Sequence, residues 1–489
     1  MRSSWFGWKS HWVVALGCAV FAPACGDDEG SDGGGSGAGS GGISSGGGGG
    51  AGAASGGASA SGGGGAGATN SGGQSGGGGA LGGAAGTAPG AAGSGGNGGA
   101  GGDGGAGATS GGGQSGGGGA AGAAGSSGGP SGPTFGYPVY TQAEIDAWST
   151  TSAEYTRLAG SWAANVDRDH SSYGSEISSV ERDVLKDESV YMKVQAVLWA
   201  ADEEADRRSK VFAMLDELRG VTSWETDPGE QYRLVAGWSC TNLAQAAAIV
   251  DYQDPDFKTF LVDVCYPILD WTNGPNWHAS FADSKLAIAA YIGDADLWED
   301  AKGYFYQRIS QSIFHSAYDG DKIKPLLDAE GDPQIGLTVL HWGGGIDAAQ
   351  INSDFTPVNP DQFPDGVNAE RMRDLGHVSM GLGAFMHAAR TVLAQGESLE
   401  PHAYDRLREA YAHHGDRVLA YLETGVIPEP DTIQGDGGGS LRQAWFGARK
   451  LFKDDTPAVV VTLCSREEVT SFAAAGANHL VAEAFADEW

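Results

Sequence analysis

From residue 134 onward, apolar residues recur at intervals of three and four almost without interruption, the spacing that gives a helix one buried stripe. The pattern predicts helices over 143–164, 178–201, 204–218, 232–252, 257–269, 276–292, 296–316, 370–395, 402–423 and 467–488. Breakers fall between them: Gly220, Asp254-Pro255, Gly274-Pro275, Gly293-Asp294 and Gly396. One run, 458–463, carries Val459, Val460 and Val461 together and reads as a strand. Ten or so helices joined by short turns, with no exact internal repeat, predict an all-α fold. Successive helical hairpins would be curved into a complete or incomplete (α/α) toroid, or packed as a solenoid. The stretch 319–367 differs. It is rich in Gly, Pro and Asp, and a connection this long inside a folded domain usually forms a wall of a functional site.

The first 133 residues follow other rules. Arg2 and Lys9 precede an apolar run from Trp12 to Phe21, the length of a signal-peptide core and too short to span a bilayer. The run ends in Ala22-Pro23-Ala24-Cys25. Small residues before a cysteine resemble the lipobox of bacterial lipoproteins, with Ala22 where that motif usually has leucine. Residues 1–25 are therefore expected to direct export, with Cys25 acylated, to an outer-membrane, surface, periplasmic or secreted location. Residues 26–133 hold most of the chain's 84 glycines, with Ser and Ala filling nearly all the rest. Such sequence lacks the apolar side chains needed to offset folding entropy, so a flexible tether is expected, with ends typically ~50–60 Å apart. Residues 134–489 form the third unit, the helical domain.

The formal charge of −32 lies overwhelmingly in that domain, which argues against nucleic acid or an anionic membrane surface as a partner. Membrane contact is expected only through the lipid anchor, and the domain is expected to be a monomer. An anionic substrate would require the few basic residues to gather in one cleft. Of the five cysteines, Cys240, Cys265 and Cys464 remain in the domain. An oxidising compartment permits a Cys240–Cys265 disulfide, and three buried thiols are equally compatible. No Cys/His spacing suggests a metal site, and no cofactor motif is present.

Two segments could carry chemistry. The first is Asn276-Trp277-His278-Ala279-Ser280 at a helix start. Asn276, Ser280 and Asp283 fall on one face, with His278 turned away by about 160°. A capped helix start with a packed tryptophan accounts for these residues equally well. The second runs from Glu370 to Gly383. On a helix Arg373 and His377 share a face and Glu370 and Asp374 a neighbouring one; an adjacent arginine would favour the neutral imidazole. Gly376, Gly381 and Gly383 each cost ~1 kcal/mol in a helix interior, so their clustering points to close packing or a close ligand.

The pattern E-x-x-R-D-x-G-H-x-x-x-G-L-G over Glu370–Gly383, continuing to Ala388-Ala389 and Gln395-Gly396, resembles the core motif of the alginate lyase family of polysaccharide lyases. Asn276-Trp277, with its helix and the Gly293-Asp294 turn, resembles that family's N-W segment, and Ala196–Ala200 an upstream helix. The similarity covers most of residues 150–425 in order and is thin outside the two motifs. It implies an α/α toroid that cleaves uronic acid polysaccharides by β-elimination without a cofactor. In that chemistry the uronate carboxylate is neutralised, a base takes the adjacent proton and an acid protonates the departing oxygen. By match to the motifs, Asn276 is the neutraliser, Arg373 an orienting charge and His377 a base or neutraliser. His278 is a weaker candidate, because Trp277 holds the position of the family's histidine. Trp277, Trp238 and Tyr318 are candidate substrate-binding aromatics.

Met380 stands where several family members have a catalytic tyrosine. Either His377 takes that role, another tyrosine such as Tyr318 enters from the 319–367 stretch, or the protein binds polyuronate without cutting it. An inverting glycoside hydrolase using Glu370 and Asp374 is a further alternative, weakened because both carboxylates sit on one element.

Overall fold

The computed structural model describes residues 133, 135–270, 274–328, 331–343, 351–352, 354–371, 374–427 and 444–466. In chain order the helices are α1 (Gln142–Asp146), α2 (Ala153–Ala159), α3 (Ser179–Asp202), α4 (Ala205–Asp216), α5 (Gln231–Ile249), α6 (Pro255–Thr259), α7 (Pro275–Ile292), α8 (Ala295–Ser312), α9 (Ser316–Asp319), α10 (Ile335–Gly343), α11 (Leu375–Ala394), α12 (Pro401–Thr424), α13 (Ala444–Phe452) and α14 (Ala458–Cys464). Strands β1 (Glu176–Ile177) and β2 (Ser223–Trp224) form a short parallel pair. The expected signal, Cys25, the tether and the helix predicted over 467–488 lie outside the described residues. No described helix is long and apolar enough to cross a membrane.

Local chemistry sets the helix ends. Ser178 and Glu181 form a reciprocal capping box that opens α3, and Asp294 caps α8 by accepting from the Asp296 and Leu297 N–H groups. Gly293, at φ 76°, terminates α7 in the left-handed conformation that glycine adopts without strain. The predicted helix over 143–164 is instead α1, α2 and a single 3-10 turn. Between them, Ser149 bonds Thr151 and Ser152 caps α2, and these hydroxyls compete with continued helical bonding. The predicted strand over 458–463 is α14. Val460, Leu463 and Cys464 are buried at helical spacing, and Val459 and Leu463 pack around Gly415 of α12. Tertiary contact has overridden the β-branched preference. Cys240 and Cys265 are buried thiols not joined in a disulfide, and Cys464 is buried.

Helices α3, α5, α7, α11 and α13 pack side by side as an inner row, and α4, α8, α12 and α14 pack behind them. Among the described residues the result is an incomplete (α/α) toroid. Its inner helices run in one direction. Thr241 on α5 donates to Asp283 on α7 at 3.1 Å, and Gly237, one turn earlier, packs against Phe281. Gly381 on α11 lies beside Asn276, and His387 beside Asp283 at 3.8 Å. The N-terminal ends of α7 and α11 therefore meet at one rim. Residues 137–146 lie across the opposite rim. There the Val139 N–H donates to Thr391 at 3.1 Å, Gln395 donates to the Tyr137 carbonyl at 2.9 Å, and Glu144 pairs with Lys450 at 2.5 Å.

The described residues of the 319–367 stretch are packed into a folded unit. It contains α10 and has its own small core, where Trp342, Phe363, Ile323 and Ile351 pack with Phe314 and Val367. An antiparallel bridge between Ile313 and Asn368 ties its return to the end of α8.

Candidate active site

The first turn of α7 is laid out by Gly274 and Pro275. Proline at the first helical position needs no hydrogen-bond partner. Gly274 keeps the approach open: a Cβ there would lie 3.0 Å from Asn276 Oδ1, 3.0 Å from Glu370 Oε1 and 3.0 Å from His341 Cε1. Three polar side chains from three segments thus close around one glycine. Asn276 is 4% exposed. Its Oδ1 accepts from the Trp277 N–H at 3.0 Å, and its own N–H points to Glu370 Oε1 at 3.5 Å. The Nδ2 hydrogens have no protein partner among the described residues. On the far side, a Cβ at Gly381 would sit 3.7 Å from Asn276 Cα, so this glycine lets α11 close against α7.

His377 lies one helical turn before Gly381. Its N–H donates to Asp374 Oδ1 at 2.7 Å, and its Nδ1 contacts Asp374 Oδ2 at 2.5 Å. This corrects the expectation for the segment. Asp374 is the extended N-cap of α11, at φ −165°, so Glu370 and Asp374 precede the helix and share no helical face. The charge held against His377 is a carboxylate, because capping by Asp374 was stronger than continuing the helix backward. Arg373 lies outside the described residues. With Nδ1 engaged, the imidazole of His377, whose side chain is 25% exposed, presents Nε2.

His278 points the other way, toward α8 and α10. It is fully buried with neither ring nitrogen hydrogen-bonded. Burial holds this imidazole well below its ordinary range, with nearby Arg308 and His341 adding to the effect. Arg308 is itself committed to Gln311 at 2.9 Å and to the Leu327 carbonyl at 2.8 Å. His341, which the sequence did not single out, brings Nδ1 within 3.6 Å of Glu370 Oε1. Its signal was the apolar spacing of α10 inside a stretch dominated by breakers.

The predicted aromatics separate. Trp277 is buried, its ring edge-on to Phe281 at 6.3 Å. Trp238 is half-buried and donates to Ser280 at 3.2 Å. Tyr318 sits on α9, its hydroxyl donating to Asp405 of α12 and its ring 4.9 Å from His315; these contacts are with α12 and its own segment rather than with Asn276 or His377. Met380 is half-buried on α11.

No family model matches the chain, and no curated protein matches it by sequence. Among solved structures it is similar to alginate lyase A1-III from Sphingomonas species A1, with 11% identity and a TM-score of 0.36, over 60% of this chain and 80% of that one. So remote a likeness carries no argument for activity.

Proposed function

We propose that the helical domain is a polysaccharide lyase acting on alginate or a related polyuronate by β-elimination. The supporting observation is convergence. Two motif segments nearly a hundred residues apart meet at one rim, where Asn276 touches Glu370 and Gly381 and His377 stands one turn away. In this reading the free Nδ2 group of Asn276 donates to the substrate carboxylate, stabilising the charge that develops on it. His377 takes the adjacent proton through Nε2.

The test is product chemistry. Elimination leaves a conjugated, ultraviolet-absorbing uronate, which hydrolysis does not. The purified protein is expected to release it from at least one member of a polyuronate panel. Asn276→Asp keeps the acceptor for the Trp277 N–H but opposes the substrate carboxylate with a negative charge. Turnover is expected to fall at least ~10²-fold, as for loss of an oxyanion donor. Polymer binding without ultraviolet product from the native protein would favour a second reading, a polyuronate-binding surface protein. Met380 in place of the family tyrosine is the observation on its side.

We further propose that the domain is exported and held at a membrane by acylated Cys25, with residues 26–133 giving it reach. Cys25→Ser is expected to abolish fatty-acid labelling and release the protein from membranes; unchanged fractionation would rule the anchor out.

A further inference from the structure

A cavity of about 880 Å³ opens at the rim opposite Asn276, between α1, the C-terminal ends of α3 and α5, and α4. Its wall holds an unusual cation. Most described arginines pair with carboxylates, as the surplus of 61 acidic over 29 basic residues would lead one to expect. Arg208 pairs with none among the described residues. Its Nε donates to the Val250 carbonyl at 3.0 Å, and its guanidinium lies 5.3 Å from the Trp199 ring and 4.8 Å from the Phe212 ring. Backbone and rings fix the planar group and leave its terminal N–H donors without a protein partner among the described residues, so little entropy is lost when they engage a ligand.

We propose that this cavity is a second binding site, taking a carboxylated sugar of the polymer whose cleavage is assigned above to the other rim. Three features of the wall define the ligand. The guanidinium fork matches a carboxylate in bidentate geometry. The Trp148 side chain and the edges of Trp199 and Phe212 left beside the guanidinium give the wall an apolar part for the C–H groups of a pyranose. Gln142, whose amide donates to Asp146 at 2.7 Å, and Asp146 and Ser209, all lining the cavity, keep further donors and acceptors for hydroxyl groups. The volume lies within the usual range for small-molecule pockets, roughly 300–1,000 Å³. Asp146 and Glu203 lie on the same wall, so a ligand with hydroxyl groups beside its carboxylate fits better than a bare anion, which those two side chains would repel. A site on the opposite rim retains the polymer without occupying the cleft.

The inference rests on the lyase reading only for the identity of the sugar, and the experiment keeps the two apart. Binding of a defined oligouronate to the full chain is measured by calorimetry, and product release from a uronate trisaccharide is measured separately. Arg208→Gln is expected to weaken binding about tenfold or more while leaving trisaccharide turnover unchanged. Arg208→Lys, which keeps the charge and loses the fork, should fall between. Ser209→Trp tests the cavity by filling it from an exposed position on α4, where the serine hydroxyl contacts only the Ala205 carbonyl, and should reproduce the loss. A neutral oligosaccharide of equal length should bind weakly to every form. If Arg208→Gln and Ser209→Trp, both melting like the native protein, bind the oligouronate as tightly as the native protein does, the site does not exist. If binding falls in both variants while the native protein releases no unsaturated product, the site stands and the lyase reading fails.

Discussion

Replacing His377 with Ala is expected to lower turnover on a cleavable polyuronate by roughly 10²–10⁴-fold, or ~3–5 kcal/mol of barrier, with little change in affinity. The argument begins with Asp374. Its carboxylate caps α11 and simultaneously holds Nδ1 of His377 at 2.5 Å, fixing the tautomer and directing Nε2 outward. Because the side chain is a quarter exposed, its truncation removes a proton acceptor without opening a cavity, and the protein should melt normally. Asp374→Asn provides the companion measurement: an amide can still cap the helix but no longer stabilises the imidazolium. Turnover should fall less than in His377→Ala, because the ring stays in place and loses only the carboxylate that holds its Nδ1. A His377→Ala protein with native turnover would remove the histidine from the mechanism.

Much of this arrangement could be read along the chain, and the failures have physical causes. Helices such as α3 and α7 announced themselves by periodicity and by a capping box or a glycine stop. The run 458–463 misled because three successive valines favour a strand only where a sheet exists to receive them; here α12 offered Gly415 instead. The expected start at residue 370 falls five residues before Leu375, where α11 begins, because an acidic residue preceding a helical run reads equally well as its first turn or as its cap. That choice decides which charge His377 meets. Asn276 and the glycine at 381 were legible as a motif, but their contact was not, since only the packing of α7 against α11 brings them together. Glu370 shows the same limit: its place beside Asn276 depends on a backbone path through 366–371 that no periodicity encodes. The cavity around Arg208 left no sequence signal at all, because Trp148, Trp199 and Phe212 each look like ordinary core residues of separate helices.

Asp319→Ala is expected to destabilise the domain by about 3–5 kcal/mol, the usual cost of removing one partner from a buried ion pair. Asp319 and Arg406 meet through two bonds of 2.6 Å, and both side chains are fully enclosed. Arg406 also donates to the Ile313 carbonyl, and Asp319 accepts from the His315 N–H at 2.9 Å. The pair thus pins the end of α8 and the beginning of the 319–367 stretch to α12. Removing the carboxylate leaves a guanidinium buried with too few acceptors; removing both partners should cost much less, so Asp319→Leu combined with Arg406→Met should recover a large part of the loss. The consequence reaches the candidate site by a traceable route. The Phe314 N–H donates to the Val367 carbonyl at 3.0 Å, and the Ala369 N–H to the Ser312 carbonyl at 2.9 Å. Glu370, the next residue, is the one that reaches Asn276. Displacing the end of α8 therefore displaces Glu370, and catalysis should suffer even at temperatures where the variant stays folded. Urea unfolding gives the stability cost, and turnover measured well below the midpoint gives the catalytic one. A cost under about 1 kcal/mol, the range of an exposed pair, would mean that this contact does not anchor the wall.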